Sequence, residues 1–323
     1  MNKVLMNPKM LARLGQRGTF GMGMLEKAKH KADLLVMTAD VSIPAGLDRY
    51  RKQYPDKFID VGIAEQNMIG IAAGLASEGF DVYTTTYAPF HTLRCLEQIR
   101  MDIGEMKHPV RMVGLSSGVV LGMIGNMHCS FEDIAVIRAI PNITIISPAD
   151  SFEVVKVLEA LDNYPNPVYI RLTSGAPSPI LYKEDYKFEI GKTISVRKGE
   201  DIVLFATGSI INEAMKAAEL LDSEGIKAEV INVHTIRPLD NEQIERVIKG
   251  KKLLVSIEEH VIAGGLGSAI SEAISLKAEK PPHLMLGLPS DYSKAGIYEE
   301  MLDFYGLTAD KIVQKIKETL KNI

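Results

Sequence analysis

The residue best placed for chemistry is Glu65, a carboxylate at the start of a long apolar run. A strand-like segment at 58–61 turns at Gly62 into residues 65–78, which are apolar on all sides. This pattern predicts a buried helix with Glu65 and Gln66 in its first turn. A carboxylate there has either found a partner or lost its water. Acidic residues also favour first turns as solvated caps, because they complement free backbone amides, and position alone favours that simpler interpretation.

Tyr87 and Phe90 form a second candidate group, directly after a strand-like segment at 82–85. Loops at that end of parallel strands are where such sheets present groups to ligands. From the pattern alone, core packing is the favoured explanation for two aromatic residues. His128 is followed by Cys129, but adjacent residues on an extended segment point to opposite faces. The pair therefore does not indicate a cysteine nucleophile.

The glycine-rich words do not indicate nucleotide binding. The triplet at 191–193 ends like a phosphate loop, but Tyr186 occupies the position of the required upstream glycine. The word GGLGS at 264–268 lacks the last glycine of a dinucleotide fingerprint, because Ile270 stands there. A tight turn that packs a helix on a sheet is predicted instead. The seven histidines are scattered and no Cys-x-x-Cys occurs, so no metal site is predicted in this chain.

Length and composition limit the class of protein. The 323 residues are 46% hydrophobic and 24% charged with a net charge of −4, which gives no reason to expect nucleic acid or a membrane surface as a partner. No signal-peptide pattern opens the chain, and no run is long enough to span a bilayer. Cys95 and Cys129 form no disulfide framework, which suits a reducing compartment. A cytoplasmic protein with two domains is expected.

Short apolar runs alternate with helical patterns, which indicates parallel sheets covered on both faces. The predicted strands are 34–37, 58–61, 82–85, 110–115, 144–146, 168–172, 202–205, 228–233, 252–257 and 284–286. The predicted helices are 19–30, 65–78, 92–103, 131–139, 151–161 and 210–224. Residues 173–190 contain prolines, several charges and no sustained period, and are predicted to be a linker.

Several short sequence motifs, taken in order, point to a known family. VGIAEQNM at 61–68, YAPF at 87–90, RCLEQIRM at 94–101, FEDIAVIRAIPN at 131–142 and SPAD at 147–150 resemble the pyrimidine-binding region of the transketolase family. EEHVIAGGLGSA at 258–269 and YGLTADKI at 305–312 resemble its C-terminal domain. The resemblance implies an α/β fold of two consecutive domains, each a mainly parallel sheet flanked by helices. They would be a pyrimidine-binding domain at 1–175, a linker at 176–192 and a C-terminal domain at 193–323.

The resemblance implies thiamine diphosphate as the cofactor. In the family, the glutamate matching Glu65 hydrogen-bonds a pyrimidine ring nitrogen and favours the imino tautomer, whose exocyclic nitrogen can take the proton of the thiazolium carbon. Tyr87 and Phe90 match the aromatic residues that stack on the aminopyrimidine ring. Asp40 matches an acidic residue near the thiazolium site. The apolar flanks of Glu65 would keep the contact dry, while the cofactor supplies the hard chemistry.

The resemblance also implies a partner. The family binds the cofactor's diphosphate through Mg²⁺ on a separate N-terminal domain, using Gly-Asp-Gly followed downstream by Asn. No Gly-Asp-Gly occurs in this chain. We therefore expect the C-terminal subunit of a split enzyme, in which an N-terminal subunit carries the Mg²⁺ site. The cofactor would lie between subunits, in an assembly of α2β2 type.

The loop at 116–128 departs from the family pattern. Ser116 stands where the family has an early histidine, and Met123-Ile124 replace a Glu-Asp pair that reads a sugar hydroxyl. Only His128 remains of a Thr-His-Gln word. Losing polar groups that pair with a phosphosugar weakens discrimination for it. The pattern favours a substrate with another terminal group, such as a sulfonate or an unusual sugar phosphate.

The anion-binding positions are only partly retained. Arg17 matches a substrate-binding arginine of the family, whereas Pro44 stands where a phosphate-binding serine often lies. Near Ser174 the family often has an arginine for the substrate phosphate. Arg171 lies three residues earlier and is expected to point elsewhere.

The implied function is transfer of a two-carbon ketol unit from a ketose to an aldose. Glu65 would activate the cofactor, His128 would donate a proton or bind a hydroxyl, and Arg17 would bind an anion. The beta component of a 2-oxoacid dehydrogenase or a deoxyxylulose-phosphate-synthase-like enzyme would keep the cofactor and change the reaction. A non-catalytic scaffold subunit would explain the lost polar groups, but the intact Glu65 and aromatic pair argue against it.

Overall fold

The structure, a computed structural model, describes residues 7–173, 175, 177–292 and 294–323. Its strands are β1 (Leu34–Thr38), β2 (Phe58–Asp60), β3 (Asp81–Tyr87), β4 (Arg111–Leu115), β5 (Thr144–Ile146), β6 (Val168–Arg171), β7 (Ile194–Arg197), β8 (Ile202–Ala206), β9 (Ala228–Asn232), β10 (Thr235–Arg237), β11 (Leu253–Val261) and β12 (His283–Leu288). Its α-helices are α1 (Pro8–Ala28), α2 (Asp48–Gln53), α3 (Glu65–Ser77), α4 (Ala88–Thr92), α5 (Leu96–Gln98), α6 (Asp133–Arg138), α7 (Ser151–Ala160), α8 (Ile211–Ser223), α9 (Asn241–Val247), α10 (Leu266–Ala273), α11 (Tyr298–Phe304) and α12 (Ala309–Lys321).

The strands form two mainly parallel sheets. The first has the order β10-β5-β6-β4-β3-β1-β2, and only the pair of β10 with β5 is antiparallel. The second has the order β12-β11-β8-β9-β7, and only β7 with β9 is antiparallel. Every residue of the central strands β4 and β8 is buried, as expected when helices cover both faces of a sheet. The predicted α/β fold is confirmed.

All ten predicted strands are present, and β11 continues four residues beyond its predicted end at 257. The two strands that were not predicted, β7 and β10, lie at sheet edges. Strand β10 belongs to the second half of the chain but pairs in the first sheet. Thr235 of β10 lies opposite Ile146 of β5, so the second half supplies an edge strand to the first sheet.

Two predicted helices have different bounds. The helix predicted at 19–30 begins at Pro8 and is kinked at Gly15, whose φ is 71°. The helix predicted at 92–103 is broken into α4, α5 and a wide π-helical turn at Ile99–Glu105. The break frees the carbonyl of Arg94, which accepts a hydrogen bond from Gln66 Nε2 at 3.0 Å. Within the described ranges, no helix is both long and apolar enough to cross a lipid bilayer.

The prediction that the helix after Gly62 is buried all round was wrong. Helix α3 buries Met68, Ile69 and the alanines of one face, but Gly70, Ile71 and Gly74 are exposed on the other. A Cβ at either glycine would meet no atom within 4 Å. The apolar composition of α3 therefore exceeds what this chain alone can bury.

The described residues between 175 and 190 contain neither helix nor strand, as predicted for a linker. They are nevertheless packed. Tyr186 Oη donates to Glu153 Oε1 at 2.8 Å, and Asn232 Nδ2 donates to Tyr182 Oη at 2.7 Å. Asn232 also donates to Glu153, whose pKa burial raises to about 7. The domain boundaries drawn at 175 and 193 stay a prediction.

Candidate active site

The carboxyl ends of β1, β2 and β3 bring three of the predicted residues to one edge of the first sheet, as sheet topology requires. Asp40 follows β1, Glu65 opens the helix after β2, and Tyr87 ends β3. Asp60 Oδ1 accepts from the backbone amides of Asp40 and Gly62, both at 3.0 Å. This carboxylate therefore ties the loop after β1 to the turn before α3. Asp40 itself is exposed and has a φ of 56°.

Glu65 is not a solvated cap. Only 3% of its surface is exposed, although it is the first residue of α3. Arg94 Nη1 donates to Glu65 Oε1 at 2.6 Å, a short charge-assisted hydrogen bond. The Arg94 side chain is 41% exposed, so the pair joins a buried carboxylate to an arginine that reaches solvent. Of the two interpretations of Glu65, the structure favours the partnered carboxylate.

Arg94 is the site residue that sequence reasoning missed. Its guanidinium carbon lies 4.1 Å from the centroid of the Phe90 ring, within the range of a cation–π contact. Arg94 thus bridges Glu65 and Phe90, which are 25 residues apart in the chain (90 − 65). The available signal was general: a buried carboxylate needs a cation, and an arginine closely follows the aromatic pair.

Three rings gather beside this ion pair. Tyr87, Phe90 and His128 have centroids 5.3–6.2 Å apart and meet edge to face. His128 lies on a short 3-10 turn at Asn126–His128. Its Nδ1 is buried and makes no hydrogen bond to any residue that the structure describes. A buried, unpaired ring nitrogen next to two half-buried rings is available to a ligand.

Arg17 lies in a different place. It lines a cavity of about 240 Å³ with Pro44, Ile43, Gly175 and neighbouring residues, and none of Glu65, Tyr87, Phe90 and His128 lines that cavity. Arg17 and Pro44, both predicted to be near the anion site, are thus brought together. Ser174 lies outside the described residues.

Arg171 points elsewhere, as expected. It is fully buried, and its Nε donates to Asp133 Oδ2 at 2.8 Å. In the loop, Met123 and Ile124 are exposed, whereas Ser116 is buried with a φ of 53°.

The cysteines, His91 and the GGLGS word serve the fold. Burial raises the pKa of Cys95 to about 12 and that of Cys129 to about 11, so neither thiol is a ready nucleophile. His91 is buried between Thr84 Oγ1 and the carbonyl of Val113, and burial lowers its pKa to about 4. The GGLGS word forms the predicted turn between β11 and α10, where the helix amides bind Glu258.

Two family models cover most of the chain. The model described as "Transketolase, pyrimidine binding domain" matches residues 14–177, and "Transketolase, C-terminal domain" matches residues 191–312. The chain belongs to the transketolase family. Its resemblance to that family, predicted from the motifs, is confirmed.

Relatives of similar length support a narrower placement within the transketolases. A "Putative transketolase C-terminal section" of Methanocaldococcus jannaschii is 36% identical over 95% of this chain and 96% of its own length. One of the subunits of an apulose-4-phosphate transketolase of Phocaeicola vulgatus is 33% identical over 94% of this chain and 97% of its own length. A solved structure described as "Split gene transketolase, inactive beta4 tetramer" is 30% identical, with a TM-score of 0.84 over 95% of this chain and 98% of its own. The chain is thus similar over nearly its whole length to transketolase chains described as a C-terminal section, a subunit and a split-gene product.

Transketolases depend on thiamine diphosphate, and the residues at the sheet edge fit the aminopyrimidine end of that cofactor. The buried Glu65 carboxylate is joined through Arg94 to the half-buried ring of Phe90, which meets the Tyr87 ring edge to face. Within the described ranges, no three His, Cys, Asp or Glu side chains are placed to hold a metal ion.

Proposed function

We propose that this chain is the C-terminal subunit of a two-subunit transketolase that transfers a two-carbon ketol unit from a ketose to an aldose. The observation that carries the proposal is the buried Glu65 carboxylate, paired with Arg94 beside the half-buried rings of Tyr87 and Phe90. A buried carboxylate next to aromatic faces suits a flat heteroaromatic ring that needs one strong hydrogen-bond acceptor.

In this mechanism each residue has one task. Glu65 would accept a hydrogen bond from a pyrimidine ring nitrogen, and Arg94 orients the carboxylate through a short charge-assisted hydrogen bond. Tyr87 and Phe90 hold the ring by stacking and exclude water. Thiamine diphosphate, when bound, supplies the carbon nucleophile of the reaction. Asp40 lies at the neighbouring strand end, where it would face the thiazolium side of the cofactor.

His128 is proposed to give a proton or hydrogen bond to the substrate at the reacting carbon. Replacing it with alanine should lower kcat/KM by about 10²-fold, the usual loss for one positioned acid–base group. Cofactor affinity should change little, because Tyr87 and Phe90 remain. Steady-state kinetics and thiamine diphosphate titration measure the two effects. The exposed His30, just beyond the end of α1, provides the control His30→Ala. Equal losses in the two variants would contradict the proposal.

An N-terminal partner subunit is proposed to cover the exposed apolar groups around this site. Ile63 is 76% exposed just before Glu65, and Met123 and Met127 are about 70% exposed in the loop that carries His128. The exposed face of α3, which begins two residues after Ile63 and carries Gly70 and Gly74, would be part of the covered surface. Apolar groups of this number in one region are typical of an interface. The partner would carry the Mg²⁺ and diphosphate site, and two copies of each chain would give α2β2.

A substitution on the exposed face of α3 tests the proposed interface with the partner subunit. Gly70→Leu should leave the isolated chain as stable or raise its unfolding free energy by about 0.5–1 kcal/mol, since glycine is a poor residue in a helix interior. It should also weaken association with the partner, because a side chain then fills the contact surface. Glu219→Leu places the same residue on the exposed side of α8 as a control. Light scattering of the mixed subunits measures association. Unchanged association of the Gly70 variant would contradict this interface.

Reconstitution tests the proposed function itself. Calorimetry with thiamine diphosphate and Mg²⁺ should show tight binding only when this chain and a Gly-Asp-Gly-bearing N-terminal subunit are mixed. The mixture should then transfer a ketol group from a donor with a terminal anion, a sugar phosphate or a sulfonate, bound near Arg17. Absence of binding in every combination would support a scaffold subunit. Binding with decarboxylation of a 2-oxoacid in place of ketol transfer would support the alternative functions, a 2-oxoacid dehydrogenase component or a deoxyxylulose-phosphate-synthase-like enzyme.

A further inference from the structure

The loop that carries His128 is anchored in the core of the second half of the chain. Val119, Cys129 and Phe131 pack in one apolar cluster with residues of β8, β11, α8 and α12. The carbonyl of Phe131 accepts from the amide of Val261 at 2.9 Å. The Phe131 ring meets the Tyr292 ring edge to face, with centroids 5.4 Å apart. The loop therefore belongs to the first half by sequence and to the second half by packing.

Two further contacts hold the tip of this loop. Asn126 Nδ2, two residues before His128, donates to the carbonyl of Tyr292 at 3.0 Å. The carbonyl of Gly122 accepts from the amide of Gly296 at 3.2 Å. Both partners lie between β12 and α11, in the second half of the chain. The position of His128 thus depends on where the second half lies.

Glu259, on β11, contacts the base of the loop at Gly118. A Cβ on Gly118 would lie 2.7 Å from Glu259 Oε2, so only glycine fits against this carboxyl. The carbonyl of Gly118 accepts from the amide of Ser130 at 2.9 Å, which closes the loop at its base. Glu259 therefore packs against one end of the loop, and the hydrogen bond between Ser130 and Gly118 links that end to the other.

The Glu259 side chain is itself held in one orientation. Tyr298 Oη donates to its Oε1 at 2.6 Å and Ser209 Oγ donates at 3.2 Å. Its backbone carbonyl accepts from Arg171 Nη2 at 2.6 Å. Burial raises its pKa to about 6. A glutamine, which has the same shape and keeps an acceptor for Tyr298, should replace it well.

We propose that Glu259 is a positioning residue, through which the C-terminal half of the chain sets the orientation of His128. The expected change in kcat/KM rests on the proposed function. The expected change in the position of His128 does not depend on activity. Glu259 touches the loop at Gly118 and not His128 directly. It would therefore act by fixing the loop on which His128 lies.

The test compares Glu259→Ala, Glu259→Gln and Tyr298→Phe in the full chain. Glu259→Ala should lower kcat/KM of the reconstituted enzyme by about 10- to 100-fold, the scale expected when a reacting group is displaced by about 1 Å. The dissociation constant of thiamine diphosphate should stay within about twofold, since Glu65 and the aromatic pair are untouched. Glu259→Gln should restore most of the loss. Tyr298→Phe removes one hydroxyl only, and should give a smaller change in the same direction.

Glu258→Ala is the matched control. Glu258 is the neighbouring residue of β11 and equally buried, but its carboxylate binds the amides of Leu266 and Gly267 at the start of α10. Both alanine variants should lose stability, and only Glu259→Ala should disturb the loop. If both variants shift the kinetics equally, Glu259 has a merely structural role and the proposal is overturned.

A readout without turnover separates this proposal from the proposed function. In the chain labelled with ¹⁵N-histidine, the His128 signal, one of seven and identified by its loss in His128→Gln, should shift in Glu259→Ala and not in Glu258→Ala. An inactive wild-type enzyme would contradict only the proposed function. An unshifted His128 signal in a folded Glu259→Ala chain would contradict the positioning role. If Glu259→Ala fails to fold, the His128 signal is measured in Tyr298→Phe instead. An unshifted signal in that variant would then contradict the positioning role.

Discussion

Replacing Glu65 with alanine should lower ketol transfer by about 10²–10⁴-fold or more, the range for loss of a group that acts on a proton in the reaction. The free energy of unfolding should change by less than about 1 kcal/mol, because the one ion pair lost joins Glu65 to an arginine that reaches solvent. Arg94 can then be hydrated and keeps its stacking on Phe90. Kinetics of the reconstituted enzyme and urea unfolding of the isolated chain measure the two quantities.

A neighbouring ion pair supplies the control for Glu65. Glu97 on α5 is exposed and pairs with Arg100 at 2.7 Å, so Glu97→Ala removes the same side chain without touching the rings. The loss of turnover in Arg94→Met should lie between the losses in Glu65→Ala and Glu97→Ala, because this change leaves Glu65 in place without its cation. Near-normal turnover in Glu65→Ala would remove Glu65 from the mechanism. A large loss of stability in the same variant would show that the carboxylate serves the fold instead.

Replacing Arg171 with methionine should destabilise the chain by about 3–5 kcal/mol, the usual cost of leaving one member of a buried ion pair unpaired. Arg171 and Asp133 are fully buried, and Arg171 also donates to the carbonyl of Glu259 on β11. The guanidinium thus joins the two halves of the chain. Urea unfolding followed by circular dichroism measures the loss.

The loss should depend on pH. Burial alone would raise the pKa of Asp133, but Arg171 and His260 outweigh it and hold that pKa below its usual value. In the native chain this group therefore contributes stability that is present above the unfolded pKa and is lost as pH falls through the folded pKa. Without Arg171 the pKa of Asp133 rises, so the variant's deficit should be smaller at pH 4 than at pH 8. A deficit that grows towards pH 4 would contradict this account.

A double substitution separates the charge from the packing. Arg171→Met combined with Asp133→Leu should cost less than the sum of the single changes, since no buried charge is left uncompensated. Arg100→Met, which breaks only the exposed pair with Glu97, should cost no more than about 1 kcal/mol. Equal losses for Arg171→Met and Arg100→Met would show that the buried pair contributes nothing special to stability.

Elements whose signal is local can be predicted from the amino-acid sequence. Ten strands, the start of α3 at Glu65 and the turn at 264–268 follow from short apolar runs, helical periods and glycines, which neighbouring residues settle. The order of the sequence motifs also identified the family and the α/β fold. Glu65 could be singled out because a carboxylate at the start of an apolar helix is costly, whereas Tyr87 and His128 were singled out by the family resemblance.

Which of these groups come into contact depends on the folded arrangement of the chain and could not be predicted from local patterns. The pairing of Arg94 with Glu65 depends on a break in a predicted helix, and that break is accompanied by a hydrogen bond from Gln66 across 28 residues. Strand β10 is three residues long and exists because β5 offers it an edge. The dependence of the His128 loop on Glu259 likewise joins residues far apart in the chain. Sheet order creates such contacts, and no periodicity within a short window carries them.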